Sequence, residues 1–453
     1  MTAWQYRLLL NNKILANLTL LTKTILIIHP VSLTGLCLKG LNMNPQFDVI
    51  VFGATSFVGQ ILAQYLSDTF NNDESQETLN WAIAGRSQSK LDEVKAKINQ
   101  PELTTLQADA HDEAAIRAMC GQAKVIISTV GPYALYGETL VKVCAETGTD
   151  YCDLTGEVQW IDRMLEKYEA SAKESGARIV HCSGFDSIPS DMGVYFTQRE
   201  ANKTLGEYCS SISMRVKAAK GGASGGTIAS MINITEEVVK DSSLRKKLAN
   251  PYLICPENHG NTARQFDTKK PTFDKNFNGW TAPFIMAAIN TRVVLRSNAL
   301  IGNRYGNNFQ YDEAMLVGKG FKGRLTATAI VAGLGAFLVG AAIKPTRWLL
   351  ENYLLPKPGE GPTPKEQVEG YYDIRFVGKT PAGKEIRSKV IGQGDPGYGS
   401  TSKMLGQVGA CLALDKELLE NNSGGFWTTS TLLGDRLIER LEKDAQLKFE
   451  ILD

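Results

Sequence analysis

Apolar residues follow two rhythms along this chain. Between residues 47 and 182, short runs of β-branched and aromatic residues alternate with stretches whose apolar positions recur every three or four residues. Phe47-Asp48-Val49-Ile50-Val51-Phe52 has the near-continuous apolar character of a strand buried on both faces. Val58, Ile61, Leu62 and Leu66 then recur at helical spacing, so the chain reverses at the glycines between. Trp81-Ala82-Ile83-Ala84 and residues 105–109 read as further strands, residues 125–132 as a strand passing into a loop, and two last strands begin at Thr149 and Arg178. Helical patterns at 91–98, 114–119, 139–146 and 159–175 separate them. This alternation predicts an α/β fold, with a Rossmann-like parallel-sheet domain over 47–207.

A second α/β domain with a mixed sheet is expected over 208–453. Residues 210–216 alternate as a strand before the glycine-rich stretch 220–227, and a helix follows from about 228 to 239. Residues 370–377 and 385–391 alternate around Pro381-Ala382-Gly383 as an antiparallel hairpin. Residues 394–400 form a turn before a helix through Leu414, and Gly424-Gly425-Phe426-Trp427 precedes another through Leu441. Pro356–Pro362 breaks the helical pattern as a linker. Residues 240–308 carry mixed signals and yield no assignment.

Two stretches admit more than one reading. Ala327–Ile343 is uncharged, flanked by Lys322 and Arg324 and by Lys344 and Arg347. At about 1.5 Å per residue it spans roughly 25 Å, short of a hydrocarbon core of about 30 Å, so it is either a membrane-surface element or a buried or homodimer helix. Residues 1–46 contain Arg7, Lys13, Lys23 and Lys39 but no acidic residue. They read as an N-terminal targeting segment, an amphipathic surface segment, a disordered extension or a start-site artefact with Met43 as the true start.

The candidate chemistry lies at the first strand-to-helix turn, Gly53-Ala54-Thr55-Ser56-Phe57-Val58-Gly59. A dinucleotide pyrophosphate must approach backbone amides at a helix N-terminus, and side chains would obstruct it. Gly53 supplies the tight turn and Gly59 lets the helix pack on the strand. Alone, such a turn is equally an ordinary structural device. The second strand, however, ends in Gly85-Arg86-Ser87, where an acidic residue would bind a ribose hydroxyl. Arg86 offers a guanidinium fork and Ser87 a hydroxyl suited to a 2′-phosphate, so NADP(H) is the expected cofactor, unless Arg86 is only a solvated charge. Asp109 is placed near the adenine. Thr129, Val130, Gly131 and Pro132, with Tyr133, follow the fourth strand and are expected on the nicotinamide side, Tyr133 alternatively as a packing residue. Tyr133, Asp153 and Asp186 are candidates for a proton donor or an orienting group, with Asp186 or Asp191 alternatively capping the helix near Pro189.

Composition changes this picture little. A net charge of +1 over 453 residues gives no electrostatic case for nucleic acid. Eight scattered cysteines without a CxxC pair read as reduced thiols of a cytoplasmic protein, and four dispersed histidines offer no metal spacing.

GATSFVG, AGRS, STVGPYALYGE, DYCDLTGE and CSGFDSIPSDMG stand in the order seen in saccharopine dehydrogenase-like oxidoreductases, and Ser224-Gly225-Gly226-Thr227 and Gly424-Gly425-Phe426-Trp427 support the likeness later in the chain. The chain from Phe47 onward resembles that family, and also the trans-acting enoyl reductases. The resemblance implies an NADP-dependent oxidoreductase with a Rossmann-like domain and a second α/β domain. For enoyl reductases it implies lipid or glycolipid synthesis and a small, lipid-linked substrate. Ser56 departs from the family's commoner glycine, and residues 1–46 lie outside the likeness. A nucleotide-binding, membrane-associated scaffold without turnover is the competing reading.

Overall fold

The computed structural model describes residues 45–71, 77–221, 225–350 and 361–453. The readings placed on the N-terminal extension, on the centre of the glycine-rich stretch at 222–224 and on most of the Pro356–Pro362 break lie outside the described residues. Residues 45–453 form one compact unit.

Two seven-stranded sheets organise this unit. The first contains β1 (Phe47–Phe52), β2 (Trp81–Gly85), β3 (Thr105–Gln107), β4 (Ala123–Ser128), β5 (Asp150–Asp153), β6 (Arg178–Val180) and, from much later in the chain, β13 (Gly425–Trp427). Its order is β13-β6-β5-β4-β1-β2-β3, and every pairing is parallel. Val49, Ile50 and Val51 are fully buried, as a central strand with helices on both faces requires.

The chain returns to this sheet after the second one is built. The helix Gly399–Leu414 packs across β4, β1 and β5 and against the helix Phe57–Phe70. A Cβ at Gly409 would sit 2.3 Å from Ile127 Cδ1, and one at Gly406 would sit 2.8 Å from Tyr65, so the glycines set how close this buried helix lies.

The second sheet comprises β7 (Ser211–Lys220), β8 (Thr272–Asp274), β9 (Gly279–Ala282), β10 (Gln310–Leu316), β11 (Tyr371–Lys379), β12 (Glu385–Gln393) and β14 (Leu447–Leu452), in the order β14-β12-β11-β7-β10-β9-β8. Only β7 and β10 pair in parallel, which makes the sheet mixed. The hairpin read from the alternating pattern is present, with Tyr371 opposite Gln393 and Lys379 opposite Glu385. The helix Ile188–Leu205 leaves the first sheet at β6 and packs on β11 and β12; a Cβ at Gly193 would lie 2.3 Å from Phe376 Cζ. The unassigned stretch 240–308 supplies β8, β9 and the helices Ser242–Leu248 and Ala287–Leu300.

Candidate functional site

Because the first sheet is parallel, the carboxyl ends of its strands open onto one crevice, and the loops leaving them build the site. Gly53 leaves β1 with φ +90°, and a Cβ there would lie 2.6 Å from Val130 Cγ2 and 2.8 Å from Thr129 Oγ1. At Gly59 the obstruction is backbone: a Cβ would meet the Gly53 carbonyl oxygen at 2.3 Å and Ala54 Cα at 2.8 Å. Both glycines are therefore required by geometry, one for its dihedral and one for close helix–strand approach.

Ser56 has φ −69° and ψ 162°, an extended conformation that serine adopts without strain. Its hydroxyl caps the helix Phe57–Phe70, accepting from Gly59 N at 2.9 Å, and lies 3.1 Å from Thr129 Oγ1. Its amide donates to the Gly53 carbonyl at 2.9 Å. The structure thus engages both groups in the turn itself. The first-turn amides of Phe57 and Val58 remain without intrahelical acceptors, at the positive end of the helix dipole. Ala54 is fully buried, Thr55 receives Gln60 Nε2 on its carbonyl at 3.2 Å, and the Phe57 ring meets Tyr398 edge-on at 4.8 Å.

Arg86 stands exposed at the exit of β2. Its carbonyl accepts from Gln107 Nε2 at 2.9 Å, while its guanidinium has no hydrogen bond or ion pair with any described residue. Ser87 opens the helix Gln88–Lys97 as its N-cap, with its hydroxyl 3.0 Å from that of Ser89. Asp109, after β3, is occupied by the His111 amide at 2.9 Å.

Beyond β4, Thr129 ties the two loops together by donating to the Gly53 carbonyl at 2.9 Å. Val130, Gly131 and Pro132 lead into the single turn Tyr133–Tyr136. Tyr133 is buried; its hydroxyl donates to Ser128 O at 3.0 Å and accepts from Leu154 N at 3.1 Å, clasping β4 to β5. Burial first, then the nearby Asp153 carboxylate, pushes its phenol well above the ordinary range. Tyr133 thus takes the packing role. Asp153, at the end of β5, is fully buried and saturated. Oδ2 accepts from Tyr151 Oη at 2.9 Å and bonds His181 Nδ1 at 2.7 Å, and Oδ1 accepts the amides of Thr155 and Cys182 at 3.1 and 3.2 Å.

The third candidate differs. Asp186 is half-buried in the loop after β6, and its side chain is bonded to no other described residue's side chain. Burial, and secondarily the charge of Asp153, raises its carboxyl to about 7. Asp191 caps a helix, but not its own: Oδ2 accepts Ser430 N at 2.8 Å and Thr429 Oγ1 at 2.9 Å at the start of the helix Thr429–Asp444, while Oδ1 accepts Ser430 Oγ at 2.9 Å. The cap of Ile188–Leu205 is Ser187.

Several residues of the crevice were not legible in the sequence. Glu157 is buried and accepts the amides of Tyr133 and Ala134 at 2.8 and 3.1 Å and the Ser230 hydroxyl at 3.0 Å. It thereby fastens the helix Gly225–Lys240 to the β4 loop; burial raises its carboxyl despite those bonds. Tyr398 accepts Gly225 N on its hydroxyl at 2.8 Å while its ring packs on Phe57, linking the same helix to the glycine turn. Thr401 accepts the Phe185 amide at 3.0 Å. Partnerships 23 to 216 residues apart in the chain reveal these roles.

A positive-φ glycine that a Cβ would fill, and two first-turn amides and a guanidinium without hydrogen-bond partners among the described residues, together fit a phosphorylated dinucleotide. The comparisons agree. Residues 49–180 match the family described as the saccharopine dehydrogenase NADP binding domain. The chain is 37% identical over 407 residues to a Mycobacterium tuberculosis (strain ATCC 25618 / H37Rv) relative, covering 87% of this chain and 95% of that one. It is 34% identical over 410 residues to the trans-acting enoyl reductase of Mycobacterium bovis (strain BCG / Pasteur 1173P2), covering 87% and 96%. In fold it is similar to apo saccharopine dehydrogenase (L-Glu forming) from Saccharomyces cerevisiae, with a TM-score of 0.50 at 13% identity over 89% of this chain and 99% of that one. The protein is an NADP(H)-dependent oxidoreductase, and the chain belongs to the saccharopine dehydrogenase-like family alongside the trans-acting enoyl reductases.

Proposed function

We propose that the protein reduces a polarised double bond of a small lipid-linked substrate, an enoyl group foremost, with keto and imine groups open to the same geometry, in lipid or glycolipid metabolism. The observation that carries the reading is Asp186: among the three candidate donors it alone has a carboxyl not committed to neighbouring side chains, and it holds a proton near neutrality. The name of the trans-acting enoyl reductases among the relatives supports the enoyl class, and an enoyl group borne on an acyl chain is consistent with a lipid-linked substrate.

The Phe57 and Val58 amides would receive the pyrophosphate at the turn that Gly53, Ala54, Thr55, Ser56 and Gly59 shape. Arg86 and Ser87 would receive the 2′-phosphate. Bound NADPH supplies the hydride. Thr129, Val130, Gly131 and Pro132 would line the nicotinamide end. Asp186 gives a proton to the atom next to the one that accepts hydride, so the product gains two hydrogens and water restores the carboxyl. Tyr133 and Glu157 keep the β4 loop rigid. The helix Gly225–Lys240 is held by Ser230 on Glu157 and by Gly225 on Tyr398, and in this reading it would help exclude water from the crevice.

NADPH oxidation by the purified protein, followed with enoyl, keto and imine substrates, tests the reading. Stimulation by an enoyl thioester is the expected result. Binding of NADPH with no stimulation by any of the three would favour the scaffold reading instead.

A further inference from the structure

The helix Gly320–Ala342 is long and apolar, yet only 11% of its most apolar 18-residue window is buried. Its inner side is short: Gly323, Ala327 and Ala341 are the buried residues. Phe321, Leu325, Val339 and, just beyond the helix, Ile343 stand 79, 60, 61 and 49% exposed. Thr328, Ala332 and Ala336 complete the same line at helical spacing, so one uncharged face runs the helix's full length.

Both ends of this helix are fixed to the folded unit. At the start, a Cβ on Gly323 would lie 2.5 Å from Gly318 O, and Arg324 stacks over Trp280 of β9 at 5.6 Å. At the far end, Ala341 is fully buried, and Arg347 of the following helix Lys344–Leu349 pairs with Glu236 on the helix Gly225–Lys240. A membrane-spanning pose would need those ends on opposite sides of about 30 Å of hydrocarbon and would break one attachment. A pose in the plane of the membrane keeps both.

Charge selects the partner. No Asp or Glu occurs from residue 314 to 350, while Lys319, Lys322 and Lys344 are exposed at the two ends. Phe321 and Trp348 add aromatic groups at those ends, where side chains of mixed character favour the headgroup level. In an antiparallel pair with a second copy, Lys322 of one chain would face Lys344 of the other with no acidic residue from this segment to offset the repulsion. We infer that the outward face of Gly320–Ala342 docks flat on an anionic lipid surface, immersed in one leaflet. The docking itself rests on the exposed face and not on the reductase reading.

The test is flotation of the full-length protein with vesicles of phosphatidylcholine and phosphatidylserine in equal parts, beside vesicles of phosphatidylcholine alone. The wild type is expected to float with the mixed vesicles. Leu325→Asp/Val339→Asp is expected to stay behind while still binding NADPH, which certifies its fold. The triple variant Lys319→Gln/Lys322→Gln/Lys344→Gln is expected to lose about fivefold in partitioning per cation removed. Flotation of the Asp double variant equal to wild type, or no flotation of wild type, would overturn the inference. So would resistance of the bound protein to alkaline extraction, which marks a spanning helix, or a dimer that the double variant dissolves.

Discussion

Substituting Gly59 by alanine isolates the contact on which the nucleotide turn depends. The added methyl would sit 2.3 Å from Gly53 O, 2.8 Å from Ala54 Cα and 2.9 Å from Ala54 C, all backbone atoms that cannot rotate away. Ordinary contact begins near 3.4 Å, so the helix Phe57–Phe70 must retreat by about 1 Å. Such overpacking costs about 1–3 kcal/mol of stability. The retreat also carries the Phe57 and Val58 amides away from the phosphate position. Losing one or two charge-assisted hydrogen bonds at about 1.5 kcal/mol each weakens NADPH binding roughly 10- to 100-fold. Gly335→Ala is the matched control, because nothing lies within 4 Å of a Cβ there and alanine favours an exposed helix by up to about 1 kcal/mol. Calorimetric titration with NADPH and a urea melt read both effects. Wild-type affinity and an unshifted midpoint in Gly59→Ala would refute the reasoning.

Asp186→Asn removes the proposed proton donor without changing its size, and turnover is expected to fall about 10²- to 10⁴-fold with NADPH affinity retained. Unchanged turnover would remove Asp186 from the chemistry. The same variant carries a stability signature. Since the folded carboxyl is raised to about 7 by burial, its contribution is present below the ordinary carboxylate range and lost as pH rises through about 7. Wild type should therefore weaken relative to Asp186→Asn from acid to neutral pH in urea melts. Arg440 pairs with buried Asp415 and, at 2.8 Å, with Glu77, so Arg440→Ala is expected to cost about 3 kcal/mol. Burial disfavours the ionised Asp415, but its bonds from Arg440 and Arg436 prevail and hold it below its usual range. That stabilisation is present above the ordinary carboxylate range and is lost as pH falls through the folded-state value, so the gap between wild type and variant should close in acid.

The first six strands of the parallel sheet were legible from local pattern: β1, β2, β4, β5 and β6 are short, largely buried apolar runs, and the edge strand β3 was read from its place between two helical patterns. The glycine turn was legible for a related reason: a positive φ and a backbone contact leave glycine as the residue that fits. The seventh strand was not. Gly425-Phe426-Trp427 is three residues long and pairs with Arg178–Val180 nearly 250 positions earlier, a partnership no local pattern encodes. The helix Gly399–Leu414 was foreseen as a helix, but its place at the heart of the first sheet follows from fits such as Gly409 on Ile127. Stretch 240–308 stayed unreadable in part because β8 and β9 are only three and four residues long and β8 forms the sheet edge. At the site, residue types were visible while their engagements were not. Tyr133, Asp153 and Asp186 look equivalent in sequence, and only the hydrogen bonds that consume the first two set the third apart.

The central claim is that the turn after β1 and the cation after β2 together hold NADP(H). Calorimetric titration of NADPH and NADH into wild type and Arg86→Ala tests it most directly. The account predicts a wild type that prefers NADPH, and a variant whose NADPH affinity falls roughly 10- to 100-fold while its NADH affinity holds. An undiminished preference for NADPH in Arg86→Ala would contradict it, as would a wild type that binds neither nucleotide.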